Sequence, residues 1–387
     1  MSCASLHAQH MLNKCLKKIT GVVDLSVIKA GRKRQSDAWC FGPVDYPPLT
    51  INFPSPPPSH LFKYREIFED MAKMLTFQLE TNVYPHCLVK DDSVPSVRAD
   101  YGVVIIPSAF GCKIHVPDDA MPWVAEEIFS SGNPNPERLG EPSFDKGLPN
   151  RVIETEEYFM SRLDGTGIRV YLADTQGPFN LAHEIMKERL FVSIYRYPDA
   201  LKEVLSKMAD AYVEFTKIQK EAIGEPLDQG AHGWDKQDGP SGIWMESGGV
   251  RLCDDSAVMV SPKHYEEFCM PLNKECFEPF EGGMWHSCGD TNHILPNVIA
   301  TSGVQAINLG DPKMHSFRKI RDLTYKNKVC LIWKDRLSSE TTIEEFVMNF
   351  ARMIGEEQTG IIFSIDADNL EEAKELLSVW RRIFLEQ

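Results

Sequence analysis

The chain has 387 residues, 43% of them apolar and 25% charged, the profile of a globular protein with room for one large domain or two ordinary ones. Its formal charge of -15 speaks against nucleic acid and against anionic membranes as partners, since both select a basic surface; an acidic surface also serves solubility alone. No run of about 18 apolar residues is present, the N-terminus lacks the apolar centre of a secretory signal, and ten cysteines without a CxxC pair fit reduced thiols in the cytoplasm.

Along the chain, the first hundred residues read as the least regular. Residues 1–80 are expected to form an irregular extension wrapping a body of residues 81–387, the two making one structural domain. Prolines cluster at Pro54, Pro56, Pro57 and Pro58, where the missing N–H groups favour a loop at the rim of an entrance; the stretch Phe110 to Pro117 is a second rim segment. Short apolar runs at Pro48–Phe53 and His86–Lys90 are predicted strands. From Gly167 the alternation is clearer. GIRVYLAD (Gly167–Asp174) reads as a strand. Pro198–Ile223 reads as a helix with Leu201, Val204, Leu205, Met208, Tyr212 and Phe215 on one face. Val250–Cys253 is the next strand, and Ser261-Pro262 opens a helix. Met284–Cys288, Gly303–Leu309, Lys328–Trp333 and Gly360–Ile365 are strands. Helices are predicted over Thr341–Glu356, with a capping box on Thr341 and Glu344, and over Asn369–Glu386. Short buried strands alternating with helices imply a parallel sheet. Without a GxGxxG after an early strand, a (β/α)8 TIM barrel is preferred to an open doubly wound sheet.

In such a barrel the active site lies at the C-terminal strand ends. Those ends are polar here: Asp174 and Gln176, Asp254 and Asp255, His286 and Cys288, Asp311, Lys334 and Asp335, Asp366 and Asp368. His286 and Cys288 stand two apart in an extended segment, so their side chains point the same way and offer a nitrogen and a sulfur suited to zinc. A buried cysteine beside a hydrogen-bonded histidine would give the same spacing. Asp311 and Asp366 are the carboxylates expected to complete a ligand set. Cys330 falls at the start of its strand and reads as core. Trp244, Trp285 and Trp333 are expected as pocket walls, with simple core packing as the bland reading.

These stretches carry a resemblance. GGMWHSCGDTNHILPNVIATSGVQAINLGDP, GIRVYLADTQGPFNLAHEI, IYRYPDALKEVL and VRLCDDSAVMVSPKHYEEFCMP resemble the uroporphyrinogen decarboxylase superfamily from about Asp91 to the C-terminus. The resemblance implies one of two chemistries. One branch decarboxylates a porphyrinogen without a cofactor and carries an N-terminal RQAGR-type motif, of which KAGRKR (Lys29–Arg34) is a loose echo; it also has a histidine near the last strand, where this chain has Ser364 to Asp368. The other branch uses zinc to move methyl groups to or from a corrinoid or a thiol, and His286-x-Cys288 matches its motif. The later ligands of that motif are replaced by Asp311 and Asp366, an oxygen-richer set suited to an ether or hydroxyl oxygen.

The expectation is therefore a zinc-dependent methyltransferase taking a methyl group from a small methylated compound, a methoxylated aromatic among the candidates, to a partner corrinoid protein. Asp255, Asp174 and Gln176 would orient substrate or protonate the leaving oxygen. Asp92, Trp244, Trp285 and Trp333 are assigned to the substrate. With no DxHxxG in the chain, the corrinoid is expected on the partner. A homodimer is left open. The alternatives are a decarboxylase and a non-catalytic barrel that binds a tetrapyrrole or corrinoid.

Overall fold

A computed structural model describes residues 3–54, 61–126, 128–129, 133–233, 242–337 and 340–386. Parallel strands carry the architecture. Six form one sheet and two more form a separate parallel ladder. In chain order they are β1 (Leu49–Asn52), β2 (Ser96–Arg98), β3 (Arg169–Tyr171), β4 (Val250–Cys253), β5 (Gly283–Ser287), β6 (Val304–Leu309), β7 (Cys330–Arg336) and β8 (Ile361–Asp366). Ladders join β4 through β8 in sequence, and β8 to β1; β2 pairs with β3. This is the strand order of a TIM barrel with two seams where, among the described residues, no ladder runs.

Hydrogen bonds outside the ladders stitch both seams. Between β1 and β2, the Asp91 carboxylate accepts the Ile51 N–H at 2.6 Å and the Asp92 carboxylate accepts the Leu49 N–H at 3.0 Å. Between β3 and β4, the Gly177 N–H donates to the Cys253 carbonyl at 2.7 Å. A Cβ at Gly177 would stand 2.7 Å from that same oxygen, so only glycine permits the approach.

The outward side chains of the strands meet a helical layer. Helix Pro198–Ala222 buries Leu201, Val204, Leu205, Met208, Tyr212 and Phe215, the stripe its sequence spacing predicts. Ser261 caps the helix that begins at Pro262, and Asn369 caps Leu370–Leu385.

Three sequence expectations are corrected. The first hundred residues contain two long helices, α1 (Cys3–Thr20) and α2 (Leu25–Trp39). The run at His86–Lys90 belongs to a helix, Tyr84–Val89, with Pro85 in its first turn; short apolar runs do not distinguish helix from strand. The capping box forms one residue later than expected, on Thr342 and Glu345. Of the expected rim segment Pro54–Pro58, only Pro54 is described; positions 55–58 lie outside the described residues. At Phe110–Pro117, Phe110 is buried and Ile114–His115 pairs with Trp123–Val124.

The N-terminal end of the barrel is plugged. Ala38 and Trp39 of α2, with Ile243 and Met245 of a hairpin, pack against Met284, Ala306, Cys330 and Ile362, all near the starts of their strands. Gln35 of α2 ties this plug together, donating to the Asp92 and Gly242 carbonyls and accepting from the Trp244 N–H. These described residues fill the lumen at this end.

Candidate active site at the C-terminal rim

Period-two alternation decides which side chains face the lumen. On β5, Met284 and His286 point inward while Trp285 joins the outer apolar layer. The neighbouring inward position on β6 is Asn308, paired with His286 in register. Its amide orientation is fixed, because Nδ2 donates to the Ile332 carbonyl at 3.1 Å. The Asn308 Oδ1 therefore faces His286 Nδ1, 2.6 Å away, and that nitrogen must carry the proton. The lone pair is left on Nε2. Such an outer partner is what orients a metal-binding imidazole.

His286 Nε2 looks toward two further ligand types. Cys288 Sγ stands 3.6 Å from it, and Asp255 Oδ1 3.9 Å. Asp255 Oδ1 also accepts the Cys288 N–H at 2.7 Å, while Oδ2 accepts the Cys253 thiol at 3.1 Å. Ligand atoms of Cys253, Asp255 and His286 all lie within 4.8 Å of one another. Burial pushes the Asp255 carboxyl up, but the His286 imidazole, the Cys288 N–H and the Cys253 thiol together hold it below its ordinary value. Burial drives the Cys253 thiol well above its ordinary value.

The geometry suits a metal. A tetrahedral ion bonded at about 2.1 Å to nitrogen and about 2.3 Å to sulfur sets those two atoms about 3.6 Å apart, the separation seen between His286 and Cys288. The set of nitrogen, sulfur and carboxylate oxygen is one that zinc accepts.

A polar network extends this cluster along the rim. Asn180 Oδ1 accepts the Ser256 N–H at 2.7 Å, and its Nδ2 donates to Gln176 Oε1 at 2.8 Å while lying 3.9 Å from Cys253 Sγ. Gln176 in turn donates to Asp174, and Asp174 pairs with Arg98 at 3.5 Å. The structure thus brings Asp174, Gln176 and Asp255 onto one rim with His286 and Cys288.

Other expected site residues are placed elsewhere. The Asp311 carboxylate accepts the Gly289 N–H at 2.6 Å, fixing the loop behind Cys288. Asp366 lies at the end of β8, three strands from β5 in the sheet, and accepts from Asn52 at 3.0 Å. Asp92 precedes β2 at the closed end, bound to Arg34 and the Leu49 N–H. Trp244 is also at that end, between the guanidiniums of Arg32 and Arg169 at 3.6 and 4.8 Å. Trp333 packs outward on Phe317, ring centroids 5.0 Å apart. Asp92 and the three tryptophans thus lie in packing and hydrogen-bonding positions apart from the His286 cluster. Sequence reading missed Cys253, Asn180 and Asn308. Cys253 was readable: it follows Arg251 by two and precedes the polar pair at a strand end, so it faces the lumen.

The family model for uroporphyrinogen decarboxylase matches residues 91–225. Over those residues the chain is similar to that family. No curated protein matches it. Among solved structures, a methyltransferase from Methanosarcina mazei is similar over 92% of this chain and 99% of its own, with a TM-score of 0.63 and 16% identity. That likeness shows a shared α/β fold. Among its described residues no helix is long and apolar enough to cross a membrane.

Proposed function

We propose that this protein is a zinc-dependent methyltransferase that takes a methyl group from a small methylated compound, of the methoxylated aromatic type, and passes it to a corrinoid carried by a partner protein. The observation that carries the reading is the convergence of His286, Cys288, Asp255 and Cys253 at the open end of the barrel, in a fold shared with a methyltransferase. His286, Cys288 and Asp255 would hold the zinc, with Cys253 beside them. When bound, zinc supplies Lewis-acid polarisation of the heteroatom that leaves the methyl group.

The chain's own residues prepare that step. Asn308 holds the His286 ring with its Nε2 lone pair toward the ligand cluster. Asp311 and the Gly289 N–H fix the turn after Cys288. Asn180 anchors the Asp255 turn through Ser256. Asp174 and Gln176 stand on the same rim, where they would orient the donor and supply a proton to the departing oxygen.

The decarboxylase alternative fits less well. The KAGRKR stretch lies on α2 at the closed end, with Arg32 over Trp244 and Arg34 engaged by Asp45 and Asp92. The test is direct: the purified protein should contain about one zinc per chain and convert Co(I) corrinoid to methyl-Co(III), read as a change in the cobalt absorption spectrum. Metal-free protein that releases carbon dioxide from a porphyrinogen would overturn the reading.

A further inference from the structure

The helix Pro178–Met186 packs against the turn Asp255–Met259, and it carries a histidine with no part in the chemistry described above. His183 Nδ1 stands 2.8 Å from the Ser256 hydroxyl. Asn180, three residues earlier on the same face of the helix, accepts the Ser256 N–H at 2.7 Å. Ser256 is thus held at two points, one on its backbone and one on its side chain. Just ahead of the helix, the Gly177 N–H donates to the Cys253 carbonyl at 2.7 Å. Residues 177–183 therefore grip the chain on both sides of Asp255.

The two bonds to Ser256 do different things. A single hydrogen bond is a pivot about which the turn can rotate, and a second bond away from that pivot removes the rotation. Asp255 is the residue that such a rotation would displace. Its Oδ1 faces His286 Nε2 at 3.9 Å while accepting the Cys288 N–H at 2.7 Å. His183 is itself well held: its ring packs edge-on against Phe191, centroids 5.2 Å apart. Burial lowers the basicity of that ring below its ordinary value, so it is neutral near neutral pH. A neutral imidazole either accepts the Ser256 O–H or donates to its oxygen, and both directions fix the hydroxyl.

We infer that His183 is a positioning residue for the metal site: through the Ser256 hydroxyl it fixes the turn that presents the Asp255 carboxylate to His286. The inference rests on the reading of the cluster as a zinc site and is independent of the methyl donor and acceptor.

The experiment measures zinc affinity of the full chain by competition with a chromogenic chelator. Cobalt(II) loaded in place of zinc reports ligand geometry through its visible d–d bands. His183→Phe, which keeps the packing on Phe191, should weaken zinc about tenfold, as loss of a partner that orients a ligand does, and should alter the d–d bands. Ser256→Ala should do the same. The double variant should bind no more weakly than either single one, the mark of one shared interaction. His183→Asn, whose amide can reach the same hydroxyl, should restore part of the affinity. Additive losses, or unchanged affinity or unchanged d–d bands in either single variant, would overturn the role of His183 and leave the metal site standing. Wild-type protein that binds neither ion would remove the metal site itself, and this inference with it. If His183→Phe does not fold, Ser256→Ala, which loses one oxygen atom, still decides: zinc affinity unchanged there overturns the inference.

Discussion

The two ends of this barrel solve opposite problems. At the N-terminal end, Trp39, Ile243 and Met245 fill the lumen with apolar side chains against Met284, Ala306, Cys330 and Ile362. At the C-terminal end the same strands present His286, Asn308 and Asp366, and β4 presents Cys253, with Asp255 and Cys288 just beyond. One strand can serve both ends because period two keeps a single face turned inward along its whole length. β5 shows it in three residues: Met284 in the plug, His286 in the site, and Trp285 between them on the other side of the sheet. The contrast teaches that stability and chemistry are separated along the barrel axis, and substitutions should respect the division.

The largest expected effect is at the floor. Trp39→Ala should cost about 3–5 kcal/mol in denaturant unfolding, the toll of a large cavity, with metal content unchanged. Loss of zinc in that variant would join the two ends functionally. At the rim the pattern should invert. His286→Ala or Cys288→Ala should lower zinc from about one per chain to less than a tenth under dialysis, while the metal-free fold loses far less stability than Trp39→Ala. Retained zinc in both variants would dissolve the proposed cluster.

The third test concerns Asp254, wholly buried where the rim turns into the core. Burial, offset in part by hydrogen bonds from Asn273, Trp285 and Tyr265, raises its carboxyl to about 6. The folded protein then keeps a proton that the unfolded chain has released above about pH 4. Stability should accordingly fall as pH rises from about 4 to 6, by about 2–3 kcal/mol from this group. Asp254→Asn should flatten that slope in urea titrations; an identical slope would remove Asp254 as its source. Fourth, Cys330→Ala at the floor should cost about 1–2 kcal/mol and leave zinc untouched. Smallest of all, Asp366→Asn should alter neither zinc content nor stability by more than about 0.5 kcal/mol, since its recorded partner is the Asn52 amide. Zinc lost on that change would return Asp366 to the ligand set.

Legibility in the sequence followed the same axis. Strands β4 to β8 were readable because two-sided burial makes each a short apolar run between polar turns. The first hundred residues were not. β2 is only Ser96–Arg98, too short to show a period, and the apolar run before it at His86 folds as a helix. His286 and Cys288 could be singled out because spacing of two survives any error in strand limits. Asp255 was readable from its place after VRLC. The companions Asn308 and Asn180 were not, since an asparagine acquires its meaning from the residue across the gap. The tryptophans show what alternation adds. Adjacent residues on a strand face opposite ways, so alternation from His286 places Trp285 in the outer layer.

The pairing of β1 with β8 has a consequence for how the chain is made. Asn52 and its partner Asp366 are 314 residues apart. At ordinary rates of translation, on the order of tens of seconds separate their emergence from the ribosome. Throughout that interval β1 has no strand on its β8 side, and the plug residues Ala38 and Trp39 lack Cys330 and Ile362 to pack against. The other side of β1 is already provided for: Asp91 and Asp92 are synthesised soon after it and occupy the Ile51 and Leu49 N–H groups with side chains. Those two carboxylates act as a temporary selvage, keeping one border of a nascent strand closed to neighbouring chains until the last strand arrives to complete the other.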